Sequence, residues 1–328
     1  MKNFQNIRSI YGYKNRIQYD FNRQIFYGTT ANENEIFESP IKRSNYIKKE
    51  NIFLTPSLIT NAIIDLDERT DKVYINKIFQ ILEIFLCKHI VINILTVVDL
   101  LFIEKLIKSI NDINLHEVLI LFRYSDELYS DNFGNIVTCS NRIKSAIIFE
   151  SPFEKNFENL MHFTVKKKEI KNTKSLNEFN SNHILFSESQ LHHTYFNRKL
   201  YIGPTGEIKN APETEQVFGY IQDITEDELK EIISSPHFQK YWFVHKGLID
   251  VCKECEFRHM CVDNRVPIER KSNEWYNSLE CNYNPYIGKW EGEEGYLSLA
   301  DCGVISNEIG FIIDHEKVRK INSLSEQY

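Results

Sequence analysis

The chain opens on alternation. In "RIQYDF" (16–21) Ile17, Tyr19 and Phe21 share one face of an extended strand, and "QIFYG" (24–28) follows after the polar pair Asn22 and Arg23. A period of two on either side of a polar turn predicts a β-hairpin. The polar run to Ser57 reads as a connection. From residue 58 the pattern changes: "LITNAIIDL" (58–66), "HIVINIL" (89–95), "HEVLILFRY" (116–124) and "SAIIFESP" (145–152) are near-continuous apolar runs, with "HFTVKKK" (162–168) a candidate fifth. Between them "VYINKIFQILEIFL" (73–86) and "VVDLLFIEKLIKSI" (97–110) carry helical periodicity, and a weaker helix precedes the fourth strand. Apolar strands alternating with amphipathic helices predict βαβ units and a parallel sheet covered on both faces. The units are too few to close an eight-stranded barrel, so the expected fold class is α/β with an open or partial (β/α) barrel.

A third pattern begins near residue 186. "KLYIGPTGEIKN" (199–210) is a strand, a glycine-containing turn and a second strand. "TEDELKEIISSPHFQKYW" (225–242) reads as a helix on which Thr225 and Glu228 form a capping box. The expected boundaries are therefore 1–57 for the hairpin and linker, 58–185 for the α/β domain, and 186–328 for a cysteine-bearing module and tail.

Composition narrows the class. With 42% hydrophobic and 26% charged residues the chain has enough apolar material for a folded core. A net charge of −7 argues against nucleic acid as a partner. The lysine run at 166–169 is short and ends in acid, which suits a solvated strand or loop end. The first residues lack a secretory apolar stretch. The greasiest segment, 78–107, is interrupted by Glu83, Lys88, His89, Asn93 and Asp99, so a buried core rather than a membrane span is expected. The expected location is cytoplasmic, where thiols stay reduced.

That setting gives weight to "VCKECEFRHMCVDNR" (251–265). Cys252, Cys255 and Cys261 stand as C-x2-C-x5-C; nineteen residues separate Cys261 from Cys281, and twenty separate Cys281 from Cys302. Zinc modules commonly pair two C-x2-C knuckles, and the second knuckle is missing here. A four-iron cube takes three thiolates from one loop and a fourth from a distant segment. Cys281 is the natural fourth. One [4Fe–4S] cluster on Cys252, Cys255, Cys261 and Cys281 is the leading expectation, with zinc on the same thiols the alternative; Cys302 is a further candidate. His259 inside the loop, the pair His192 and His193, and the remaining Cys87 and Cys139 are read as non-ligands. "GPTG" (203–206) is turn chemistry, and "EGEEGY" (291–296) an exposed acidic turn.

A glycine-containing hairpin, a helix, C-x2-C-x5-C and a later lone cysteine resemble the SPASM domain, the C-terminal extension of many radical S-adenosylmethionine (SAM) peptide-modifying enzymes. The runs "YFNRKLYIGPTGEIKNAPE", "VCKECEFRHMCVDNR" and "ECNYNPYIGKWEGEEGY" resemble, more closely, the SPASM-domain peptide maturase of grasp-with-SPASM systems, over about residues 190–303. The resemblance implies a degenerate radical-SAM-like barrel at 58–185, a SPASM-like iron–sulfur module at 186–328, and a role in maturing a ribosomally made peptide. It implies a precursor peptide and an ATP-grasp ligase as partners, with neither nucleic acid nor membrane involved. It carries the second auxiliary cluster over to Cys252, Cys255, Cys261 and Cys281. The first auxiliary cluster is lost: Ala211, Asn197, Asn264 and Arg265 stand where its cysteines would be. Gly288 replaces a further family cysteine. The radical-initiating C-x3-C-x2-C is also absent, because after "LITNAIIDL" no cysteine occurs before Cys87. SAM cleavage of the usual kind is not expected, no catalytic residue is assigned, and whether the chain is an enzyme stays open. The alternative function is redox chemistry or electron transfer from the cluster during peptide modification.

Overall fold

The alternating segment folds as read, with one strand more. In this computed structural model, which describes residues 7–30, 55–68, 70, 72–113, 117–153, 163–166, 176, 179, 181–271 and 274–325, strands β1 (Ile7–Tyr11), β2 (Asn15–Asp20) and β3 (Ile25–Thr30) form an antiparallel sheet in that order. Ile17 and Tyr19 lie on its buried face, at 2% and 0% exposure. The linker read between 31 and 54 and Lys167–Glu169 of the lysine run lie outside the described residues.

The chain divides into two compact units, each assembled from separated stretches. One comprises Thr55–Lys171 and Arg198–Gln239; the other comprises Met1–Leu54, Asn172–Asn197 and Lys240–Tyr328. The first holds a mixed seven-stranded sheet with a parallel centre. Its strands are β4 (Asn61–Leu66), β5 (His89–Ile94), β6 (Glu117–Arg123), β7 (Ile143–Phe149), β8 (Phe163–Lys166), β9 (Lys199–Ile202) and β10 (Ile208–Lys209). The spatial order is β10-β9-β4-β5-β6-β7-β8. From β9 through β8 every pairing is parallel, and β10 closes antiparallel on β9. Strands β4 to β8 add in chain order with no reversal. Strand β9 then returns to the other side of β4, away from β5, so the order reverses at β4.

The helices explain which face is buried. Helices α1 (Lys72–Ile84), α2 (Leu100–Asn111) and α3 (Asp131–Thr138) follow β4, β5 and β6 in turn. Ala62, Ile64, Leu66, Ile90, Ile92, Ile94, Val118, Ile120 and Phe122 are all buried, and Phe122 meets Phe133 of α3 edge-on at 5.2 Å. Their neighbours Ile63, Val91, Leu119 and Leu121 are only half-buried. The expected two-sided cover is therefore replaced by full burial on the helical face alone. Asp99 caps α2 by accepting from Phe102 N at 2.7 Å.

The segment 199–210, grouped in the sequence with the cysteine module, extends this sheet as β9 and β10. Helix α5 (Glu226–Ser234), which follows helix α4 (His183–Ser189) of the other unit in chain order, has the expected capping box on Thr225 and Glu228. It ends eight residues before the sequence expectation, at Ser234 rather than Trp242. Pro236 forces the preceding Ser235 out of helical geometry, to ψ 145°. No described helix is long and apolar enough to cross a membrane.

Candidate metal centre

The cysteine loop is built on a strained turn. Val251 has φ 64° and ψ −51°, and Cys252 N bonds Asp250 O across it at 2.7 Å. That is a γ-turn of the rare positive-φ kind, unfavourable for a β-branched residue. It persists because Asp250 is fixed on three sides. Its carboxylate accepts from Lys253 Nζ at 2.9 Å, from Arg270 Nη2 at 2.7 Å and from Ser306 Oγ at 3.4 Å. The turn launches two short 3-10 segments, Cys252–Glu254 and Glu256–His259, which separate the first three cysteines.

The N-terminal sheet is the wall behind this loop, all within one unit. Tyr13 N donates to Glu254 O at 2.7 Å, and Arg258 Nη1 donates to both Tyr11 O (2.7 Å) and Cys255 O (2.8 Å). A Cβ on Gly12 would stand 2.5 Å from Glu256 Oε2 and 2.8 Å from Glu256 N, so only glycine lets the β1–β2 turn approach so closely. Ile10, Ile17 and Tyr19 share a core with Phe257, Met260, Phe186 and Tyr283, with Cys255 and Cys281 packed at its margin.

Cys281 arrives from a different direction, just before a hairpin of β11 (Tyr283–Asn284) and β12 (Lys289–Trp290). Tyr283 of this hairpin donates its hydroxyl to Glu256 Oε1. Gly288, where the resembling family carries a further cysteine, has φ 64°, and a Cβ there would lie 2.3 Å from Asn15 Nδ2. The positive φ strains any side chain there, and Asn15 would have to move aside to admit one.

All four expected ligands, Cys252, Cys255, Cys261 and Cys281, line a single pocket, partly open to solvent. Phe257, Tyr283, Trp290 and Phe179 form its aromatic rim, with ring centroids 4.7–6.0 Å apart for the pairs in contact. Lys246, Arg258 and Arg265 also reach the wall. Among the described residues no three His, Cys, Asp or Glu side chains gather closely enough to hold one metal ion. The four thiols share this one pocket, and four thiolates are the donor set of either a zinc ion or a four-iron cube.

The electrostatics fit a metal-bound state. Burial pushes the Cys255 thiol well up, with Glu256 adding to it. Burial also takes Cys261 to about 12 against the pull of Lys246, and raises Cys281 against that of Arg265. Without metal these thiols are neutral at pH 7; a bound metal displaces their protons and brings in negative charge from the ligands. Cations already face them. Lys246, 2% exposed, pairs with buried Asp263 at 2.6 Å, and Arg265 forks the same carboxylate at 2.6 and 3.0 Å. Burial alone would raise Asp263, but Lys246 and Arg265 outweigh it and hold it well below the usual carboxylate range. Cys252 Sγ receives Arg265 Nη2 at 3.8 Å and Asn277 Nδ2 at 3.7 Å. None of Lys246, Asp263, Arg265 and Asn277 was singled out as a site residue from the sequence, although Asp263 and Arg265 stand two and four residues after Cys261.

The remaining candidates lie elsewhere. Cys302 is fully buried in a separate core with Tyr13, Tyr286, Leu299 and Val304, its Sγ near Leu299 O and Asn284 Nδ2 at 3.2 and 3.3 Å. It is not a fifth wall of the cavity. His259 turns Nδ1 toward Ser189 Oγ of α4 at 2.9 Å. His192 packs beside Phe243, whereas His193 accepts from Tyr195 N at 3.2 Å, so the adjacent pair diverges. Cys87 is buried and Cys139 exposed. Ala211, where the resemblance would put a first-cluster cysteine, is buried and belongs to the sheet-bearing unit, whereas the four thiols belong to the other. No family model, curated protein or solved structure matches this chain.

Proposed function

We propose that the chain is a maturation factor for a ribosomally made peptide, carrying one [4Fe–4S] cluster on Cys252, Cys255, Cys261 and Cys281 and no SAM-cleaving centre. The observation that carries the metal half is the meeting of four thiols, from two chain segments, around one cavity walled by cations and aromatic rings. The maturation half rests on the SPASM resemblance, with a precursor peptide and an ATP-grasp ligase as partners. Two cysteines in 58–185 cannot supply a three-thiolate initiating site, so the sheet-bearing unit acts as scaffold. A fold can persist after its chemistry has gone. When bound, the cluster supplies rigidity to the loop and a one-electron couple; four protein thiolates leave no iron open for substrate.

Anaerobic purification with iron, acid-labile sulfide and zinc quantification tests the metal. About four iron and four sulfide per chain, lost in Cys261→Ala, are expected; one zinc without sulfide overturns the iron–sulfur assignment. Calorimetric titration with precursor peptide and with ligase tests the role, and affinity for neither removes it. A second reading, electron transfer during peptide modification, is favoured by the two N–H donors at Cys252.

A further inference from the structure

We propose that Arg265 and Asn277 are positioning residues that set the reduction potential of the centre by donating N–H groups to the Cys252 sulfur. The inference rests on the four-iron reading above and deepens it, turning a brace into a tuned one-electron site.

The two donors are arranged for this contact. Arg265 is clamped. Its Nε and Nη2 fork Asp263, its Nη1 donates to Leu279 O at 2.7 Å, and its Nη2 also faces Cys252 Sγ at 3.8 Å. Asp263 is in turn held by buried Lys246. The guanidinium therefore cannot swing away without breaking a buried ion network. Asn277 approaches from the other chain direction, Nδ2 at 3.7 Å from the same sulfur. Its Oδ1 is buried with no hydrogen-bond partner among the described residues. Sulfur is then what orients the amide, since the reversed amide would set oxygen lone pairs against a thiolate. The strained turn at Val251 fixes the backbone that carries this cysteine. Cys281 differs: its thiol lies 3.9 Å from Asn282 Oδ1, an acceptor.

A four-iron cube on four thiolates is anionic and gains one further negative charge on reduction. N–H donors and a fixed cation at a ligand sulfur favour the reduced form, so they raise the potential. The step makes and breaks no bond. One electron enters from a low-potential one-electron carrier, for which dithionite serves in the test, and leaves on reoxidation.

Reconstituted wild type, Arg265→Gln, Arg265→Lys, Asn277→Ala and the control Arg123→Gln, which belongs to the sheet-bearing unit, are compared by reductive titration followed by electron paramagnetic resonance, with iron counted in each. Expected are midpoints more negative than wild type in Arg265→Gln and Asn277→Ala, a smaller shift in Arg265→Lys, and none in Arg123→Gln. Full iron with an unmoved midpoint in either Arg265→Gln or Asn277→Ala overturns the proposal, as does an equal shift in the control. If Arg265→Gln fails to load, Asn277→Ala decides alone. Wild type that takes up no iron refutes the four-iron reading itself, a different outcome from iron with an unmoved potential.

Discussion

Asp263 neutralises two cations at once, and the cost of removing it follows from burial. In Asp263→Asn, Lys246 keeps its charge with no carboxylate, in a site where its side chain is 3% exposed. Breaking one partner of such a pair costs about 3–5 kcal/mol, to be read as a lowered guanidinium midpoint with unchanged slope. Adding Lys246→Met should recover part of the loss, because the orphaned charge goes with it. His245 gives a pH signature. Burial, then the charge of His192, brings its pKa down to about 4, from 6.5 in an exposed histidine. The unfolded chain therefore binds the extra proton first as pH falls. This contribution is complete above about pH 6.5 and declines toward pH 4, by up to about 3 kcal/mol. His245→Asn keeps an acceptor for Gly247 N, which His245 Nδ1 now serves. Its melting temperature should fall less than that of wild type between pH 7 and pH 5; parallel curves would show that His245 is not responsible. At this scale the four cysteines were legible because their spacing is a chemical statement. Their charged neighbours were not, since charged residues belong on the surface by default and only tertiary pairing buries them.

Among the elements, the parallel strands were legible because buried strands are continuous apolar runs; β4, β5, β6 and β8 lie within the segments read for them, and β7 begins two residues before its own. Two differences from the sequence expectation have local causes. The apolar periodicity of α5 runs on beyond Pro236, but the constraint of that proline on Ser235 ends the helix. Strand β1 was not read, because its residues Ile7, Arg8 and Ser9 are exposed and show no alternation. What gives β1 and β2 their importance is the turn between them, packed on the cysteine loop. Gly12→Ala forces a methyl against Glu256 N and Oε2. Overpacking of this kind costs about 1–3 kcal/mol. The variant should hold iron less well against a chelator while keeping the far-ultraviolet signature of the parallel sheet. Wild-type retention in Gly12→Ala would mean that the N-terminal sheet does not support the centre.

For the whole molecule, the sequence boundaries at 57 and 185 give way to two interleaved units, and spatial neighbours far apart in sequence cannot be read from local pattern. The proposed metal would belong to one unit alone, the one that holds all four cysteines. Its removal should lower the stability of that unit and leave the sheet-bearing unit in place, since a ligand stabilises only what binds it. Calorimetry should show two transitions, of which one moves on demetallation; a single transition moving as a whole would contradict this division. The interleaving also sets an order in time. Arg258 donates to Tyr11 O across 247 residues. On a ribosome the sheet-bearing unit is complete once residue 239 has emerged. By then the first strands of the chain have been synthesised but still lack Glu254, Phe257 and Arg258 to pack against. The earliest-made segment is thus among the last to be buried, and delivery of the proposed cluster would wait for Cys281. If that cluster is needed to hold its unit together, a shortage of iron would leave behind a chain whose sheet is finished and whose beginning is exposed.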